Sequence, residues 1–197
     1  MPSMDEATRA LLFTAARTHR AFRARPIDDA TLRELYELTR LPPTAMNAQP
    51  ARFVFVRSAA AKARLAPALA PGNVGKAMGA AATAIVAWDA AFHEQMPTLA
   101  PHSPKLGAEL GRLPDDARER MGVLSATLQA AYLILAARGL GLDCGPMSGF
   151  ENAAVDAAFF PGGRWRSILL VNLGEGDPAA LKPRQPRLPF AEACRIE

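Results

Sequence analysis

Apolar residues recur with helical spacing from Asp5 to Arg17 and again from Ala30 to Arg40, where Leu32, Leu35, Tyr36 and Leu38 share one side. Asp28 and Asp29 are candidate N-caps for the second helix, and Pro42-Pro43 ends it. The β-rich run Arg52 to Val56 predicts a strand. Ser58 then caps an alanine-rich helix to about Ala70, with Pro71-Gly72 as a break. A second strand is predicted over Thr83 to Trp88, followed by a proline-punctuated, lid-like excursion at about 92–114. Pro114-Asp115-Asp116 opens a long helix to about Arg138 that is apolar on almost every face. Such a helix is expected to be buried on almost every side, with a subunit interface supplying part of that burial. Gly139 to Gly149 reads as a glycine-rich loop, Glu151 to Phe159 as a short helix and Ser167 to Leu173 as a third strand. Pro178, Pro183, Pro186 and Pro189 make the tail extended, exclude it from a central strand and suit it to reach across a partner.

The 197 residues fit a single domain, 1–197, interrupted only by the excursion. Half of the residues are hydrophobic, but 41 are alanine, which favours packed helices over a β-sandwich. Lys+Arg 23 against Asp+Glu 19 leaves a net charge of +4, too mild to imply nucleic-acid binding, and no aromatic residues interleave the basic clusters. Local clustering is more informative: Arg17, Arg20, Arg23 and Arg25 near the start, and Lys182, Arg184 and Arg187 near the end, suit a phosphate. Cys144 and Cys194 form no CxxC pair, and Asp5 and Glu6 stand where a signal peptide needs basic residues, so a cytoplasmic location is expected. Gln129 and Arg138 interrupt the apolar stretch Met121 to Leu142, which fits a buried helix rather than a membrane span.

Several chemistries are disfavoured by motif. Gly75-Lys76 lacks the phosphate-loop glycine at Ala70 and the hydroxyl residue at Ala77. Gly139, Gly141 and Gly145 miss the dinucleotide fingerprint, because the third glycine falls a residue late. His19, His93 and His102 lack the i, i+4 spacing of a metal pair, so no metal site is expected. Pro146-Met147-Ser148-Gly149 lacks the first glycine of a hydrolase elbow. A chain of this kind suits chemistry carried by a bound cofactor.

Arg17-Thr18-His19-Arg20, Pro43 to Pro50, Gly72 to Lys76, Leu142 to Phe150 and Arg184 to Pro189 occur in the order seen in the FMN-dependent nitroreductase family, which the chain resembles over nearly its whole length. Within the family it is most similar to the malonic semialdehyde reductase (3-hydroxypropionate dehydrogenase) branch of bacterial pyrimidine-ring degradation. That likeness rests on Ala16 to His19, Leu65 to Leu69, Ile85 to Asp89, Gln129 to Ile134 and Gly145 to Phe150. The implied fold is α+β: a central, mostly antiparallel sheet flanked by helices, with a long buried interface helix and an extended C-terminal tail.

The resemblance also implies site residues, with no catalytic side chain because FMN carries the chemistry. Arg17, Thr18 and His19 match the first phosphate-binding motif, and Arg184 and Arg187 the second, although His19 stands where serine is common and Gln185 where some members have lysine. Arg20 and Arg25 read as solvated. Pro43, Thr44, Ala45 and Asn47 match the segment touching the flavin ring and ribityl chain, and Asn73 and Lys76 match the pair at its pyrimidine edge. Pro146, Met147, Ser148 and Gly149 match the loop passing flavin N5, and Ser125 matches a pocket position on the long helix. The implied activity is ping-pong hydride transfer from NADH or NADPH through FMN to malonic semialdehyde, in a homodimer with the site at its interface. Arg23 is a hypothetical partner for the substrate carboxylate. Alternatives are a broad nitro- or quinone-reductase, a non-catalytic flavin-binding protein and, least favoured, a nucleic-acid binder.

Overall fold

The computed structural model describes residues 3–197 and contains four strands among them where the sequence pattern predicts three. Helix α1 (Glu6–Arg9) continues into a wide turn, and α2 (Asp29–Thr39) starts at Asp28, whose carboxylate accepts from the Thr31 N–H at 2.7 Å. Then come β1 (Ala51–Val56), α3 (Ala59–Leu65) capped by Ser58, and α4 (Pro71–Gly79). Strand β2 (Ala82–Asp89) leads into α5 (Met96–Leu99), α6 (Leu106–Gly111) and the long α7 (Asp115–Gly139). Strand β3 (Asp143–Met147), α8 (Asn152–Phe159), β4 (Trp165–Gly174) and a short α9 (Phe190–Ala193) complete the chain.

The sheet is antiparallel throughout, in the order β1-β2-β4-β3. Every residue of the central β2 is buried, and the side chains alternate between two helical layers. Ala82, Ala84 and Val86 meet Leu32 and Leu35 of α2 and Ala130, Leu133 and Ala137 of α7; Ile85 and Ala87 meet Leu65, Ala77 and Val155 on the other face. The small side chains of Ala82, Ala84, Ala130 and Ala137 thus permit close approach of α7 to the sheet. Gly122 takes this furthest, since a Cβ there would sit 2.5 Å from the Trp88 ring.

Two expectations need correction. The stretch Gly139 to Gly149 contains β3 rather than a loop throughout, and the sheet tolerates Pro146 there because β3 is an edge strand. Pro71-Gly72 opens α4 instead of breaking the chain, since proline at a first helical position lacks only an N–H that would be unpaired anyway. Within a single chain, helix α7 buries one face, including Gly122, Ser125, Ala126, Gln129, Ala130, Leu133 and Ala137, and leaves Leu124, Leu128 and Tyr132 exposed at i, i+4 and i+8, the side for which the sequence expected a subunit interface. It is long and apolar enough to cross a membrane by length and composition, yet its buried face packs on the sheet and on α2.

The excursion is a packed helical unit. Phe92, Met96 and Leu110 are buried with Trp88 and Ala126. Its base is tied by the buried Asp89, which accepts from Arg52 at 2.7 Å, from Arg164 Nε at 2.6 Å and from the Ala91 N–H at 2.9 Å, while Arg164 also reaches Glu94 at 2.7 Å. Burial alone would raise the Asp89 pKa, but the Arg164 hydrogen bond, the Ala91 N–H and the charges of Arg52 and Arg164 outweigh it and hold the carboxyl below its ordinary value.

Candidate functional site

Two grooves meet at residues 17–20. The larger, about 550 Å³, is lined by Arg17, Arg20, Arg138, Lys182, Arg184 and Arg187, with no carboxylate among its lining residues. The smaller, about 250 Å³, is lined by residues 18–20, Asn73, Lys76 and residues 145–149, again without a carboxylate. Thr18 and Arg20 line both, so the two form one continuous surface.

Segment 17–20 is laid against β3 by a parallel bridge from Thr18 to Cys144 and by the His19 N–H, which donates to the Cys144 carbonyl at 2.9 Å. The tail is stitched to the same place. Arg184 donates to the carbonyls of Thr14 and Ala16 at 2.9 and 2.8 Å, and Arg17 donates to the Lys182 carbonyl. Arg187 bonds only to the carbonyls of Gln185 and Pro186, and none of these cations has an acidic partner within 4.0 Å among the described residues. Unbalanced positive charge lining one concavity is the electrostatic complement of an anion.

Helix α4 places Asn73 and Lys76 one turn apart. Lys76 Nζ donates to Asn73 Oδ1 at 2.8 Å, and Asn73 Nδ2 donates to the Gly149 carbonyl at 2.9 Å. The α4 helix is also held at its far end, where Lys62 Nζ donates to the carbonyls of Met78, at 3.0 Å, and Ala80; burial lowers the Lys62 pKa. Asn172, fully buried in β4, accepts from Thr83 Oγ1 at 2.7 Å and donates to Met147 Sδ at 3.3 Å, so it braces the floor of the smaller groove. Sequence reasoning missed this residue, although an asparagine inside the apolar run Ser167 to Leu173 is a signal for a buried polar partner.

The structure brings together Arg17, Thr18, Asn73, Lys76, Pro146, Met147, Ser148, Gly149, Arg184 and Arg187. It moves two arginines, Arg20 and Arg23, from their expected places, while Arg25 stays solvent-exposed as read. Arg20, read as solvated, lines both grooves, whereas Arg23 and Arg25 pair with Glu175 at 2.6 and 3.4 Å. His19 lines the smaller groove but not the larger, cation-lined one, and its ring is buried beside Asp143. Cys144 is buried, which pushes its thiol up to about 12 and removes it from consideration as a nucleophile.

A second cluster lies outside both grooves. The Ala45 N–H donates to Ser125 Oγ at 3.3 Å, Asn47 Nδ2 donates to the Leu99 carbonyl at 2.9 Å, and the Gln49 N–H donates to Thr44 Oγ1 at 3.2 Å. Pro43 precedes this turn and is exposed. Met46, Asn47 and Gln49 have φ of 55°, 56° and 41°, a left-handed backbone that non-glycine residues adopt only when their surroundings enforce it. The buried Gln129, which the sequence marked only as an interruption of the apolar stretch Met121 to Leu142, accepts from the Ala51 N–H at 3.0 Å and anchors the far side of the turn.

Residues 14–175 match the Nitroreductase family, and the chain belongs to it. A Burkholderia lata protein is 53% identical over 197 residues, covering 100% of both chains. A Xanthomonas oryzae protein is 53% identical over 195 residues, covering 99% of this chain and 98% of its own. Both carry the provisional name NADH dehydrogenase/NAD(P)H nitroreductase. A provisionally named nitroreductase from Exiguobacterium sibiricum, solved in complex with FMN, superposes with TM-score 0.87 at 21% identity, covering 100% of this chain and 99% of its own. One from Bacillus subtilis gives TM-score 0.87 at 22% identity over 98% and 100% of the two chains. The antiparallel sheet and its flanking helices are thus the nitroreductase-like fold.

Proposed function

We propose that the paired grooves hold FMN and that the protein is an NADH- or NADPH-dependent flavin reductase that converts malonic semialdehyde to 3-hydroxypropionate. The carrying observation is the wall of six cations without a carboxylate, running into the Lys76–Asn73–Gly149 chain. Guanidinium forks offer paired donors that stay charged, as a phosphate monoester requires. Arg17, Arg20, Arg184 and Arg187 would hold that phosphate, and Asn73, Lys76 and residues 146–149 would flank the flat ring. When bound, FMN supplies hydride transfer between a nicotinamide and an organic acceptor. Lys76, oriented by Asn73, supplies a fixed positive charge where negative charge develops on reduction.

The second cluster belongs to the same reading. Pro43, Thr44, Ala45 and Asn47 form a turn outside the grooves that is hydrogen-bonded to Ser125 of α7, and α7 exposes Leu124, Leu128 and Tyr132 nearby in sequence to Ser125. In the proposed homodimer the ridge is covered by a second copy, and the turn of one protomer completes the grooves of its partner. The extended tail, with Leu188 and Phe190 exposed, suits the same assembly.

A broad nitro- or quinone-reductase is the second reading, favoured by the names of the Burkholderia and Xanthomonas relatives. Steady-state turnover separates the two. The proposal expects kcat/KM for malonic semialdehyde to exceed that for nitroaromatics and quinones; the reverse order assigns the acceptor to the second reading. Flavin binding without any NADH or NADPH oxidation would leave a non-catalytic flavin protein.

A further inference from the structure

His19 sits at a three-way junction outside the basic wall. Its ring Nε2 lies 3.2 Å from Asp143 Oδ1, its Nδ1 is buried without a hydrogen-bond partner, and the residue is only 7% exposed. Asp143 Oδ2 accepts from the Gly176 N–H at 2.8 Å, so one carboxylate joins β3, the segment 17–20 and the chain leaving β4. Two glycines make room for this arrangement. A Cβ at Gly145 would stand 2.5 Å from the His19 carbonyl oxygen, and one at Gly176 would collide with the His19 ring. The Phe22 ring packs beside it at a centroid distance of 6.4 Å. Asp143 lines neither of the two grooves, so whatever it does for them it does through its neighbours.

We propose that the His19–Asp143 pair is a latch that positions segment 17–20 on β3, so that Arg17 and Arg20 face the anion groove; His19 is a positioning residue and does not itself touch the phosphate. The geometry accounts for a histidine at a place where a phosphate ligand was expected. The ring is directed inward to Asp143 and Gly176, while the residue's backbone N–H donates to the Cys144 carbonyl and its own carbonyl packs closely against Gly145. An inward ring held by a carboxylate leaves the arginines on either side of it in sequence to carry the anion.

The test uses the full-length protein with the substitutions Asp143→Asn, His19→Ala, the double variant and Arg17→Ala, each checked for an unchanged circular dichroism spectrum. Two readouts are taken: affinity for FMN and for riboflavin, which lacks the phosphate, and hydrogen exchange of the amides of residues 18–20. Asp143→Asn is expected to weaken FMN binding about tenfold, because segment 17–20 and its arginines lose their fixed position, while riboflavin affinity stays within about twofold. The double variant should bind FMN no more weakly than His19→Ala, and exchange at residues 18–20 should rise in each variant lacking a latch partner. His19→Ala weakening FMN while Asp143→Asn leaves both FMN affinity and exchange unchanged would make His19 a direct ligand and overturn the latch. Equal loss of FMN and riboflavin would also overturn it, as a general loss of folding. The inference rests on the FMN reading for its affinity readout only. If the wild-type protein binds no flavin, that reading fails, and the exchange data alone decide the latch.

Discussion

Lys76 reaches Asn73, and Asn73 reaches Gly149: the ammonium donates to the amide oxygen at 2.8 Å, and the amide nitrogen donates to the glycine carbonyl at 2.9 Å. A charge on α4 is thereby fixed relative to the loop that follows β3. Replacing Lys76 by alanine removes the charge, and replacing Asn73 by alanine frees it to move. Both variants are expected to slow flavin reduction, by about 10- to 100-fold for Lys76→Ala and less for Asn73→Ala. Stopped-flow reduction by NADH or NADPH measures this; wild-type rates in both would remove Lys76 from the chemistry.

Gly149→Ala probes the same chain sterically. The new Cβ would stand 2.6 Å from Asn73 Nδ2 and 3.4 Å from the Ala70 Cβ. The closest clash is with the end of a movable side chain, so the fold should lose no more than about 1 kcal/mol. The amide must swing away, however, and the hold on Lys76 goes with it. Near-normal melting with reduction slowed to the Asn73→Ala level is the expected result.

Arg187 lines the larger groove with no acidic partner among the described residues. Arg187→Ala should weaken FMN retention about tenfold or more and leave thermal stability of the flavin-free protein unchanged, because only an interaction with a charged ligand is lost. Equilibrium dialysis and melting curves check the two halves.

Asp89 carries the clearest pH dependence. Its folded pKa lies below the ordinary 3.8, so the unfolded chain takes up a proton first as pH falls. The stability it contributes is therefore complete above the unfolded value and is lost as pH drops through the lower folded one. Asp89→Ala leaves Arg52 without its buried partner, whereas Arg164, 40% exposed, can turn to water. A loss of about 3 kcal/mol at neutral pH is expected, the lower end of the range for a broken buried pair. In urea denaturation the variant should lack the wild-type decline in stability below about pH 4 that this group causes.

Leu124, Leu128 and Tyr132 form the exposed ridge of α7. Leu128→Glu should shift the protein from about twice 21.0 kDa to the single-chain mass in sedimentation equilibrium. A monomeric wild type would contradict the proposed assembly.

The central strands were legible because β2 and β4 are runs of apolar and β-branched residues between clear breaks, and the Asp28 and Ser58 caps marked their helices. Strand β3 was hidden by Gly145 and Pro146, which look like loop residues until their edge position and the close approach of His19 are known. The basic groove was legible as two clusters at opposite ends of the chain, but which arginines enter it was not. Arg20 and Arg23 both sit in the first basic cluster, and the fold sends one to the groove, on the segment held against β3, and the other to Glu175, where its backbone N–H also donates to the Glu175 carbonyl at 2.8 Å. The roles of Gln129 and Asn172 were missed because each acts through a partner far along the chain: Ala51 for one, Thr83 and Met147 for the other.

The most direct measurement is the absorbance spectrum of the purified protein, reconstituted with FMN, before and after anaerobic NADH or NADPH and then after malonic semialdehyde. The account predicts a yellow protein that bleaches with the nicotinamide and regains its colour with the aldehyde. A protein that takes up no flavin would contradict the assignment of the grooves, and one that bleaches but is not reoxidised by the aldehyde would contradict the proposed acceptor.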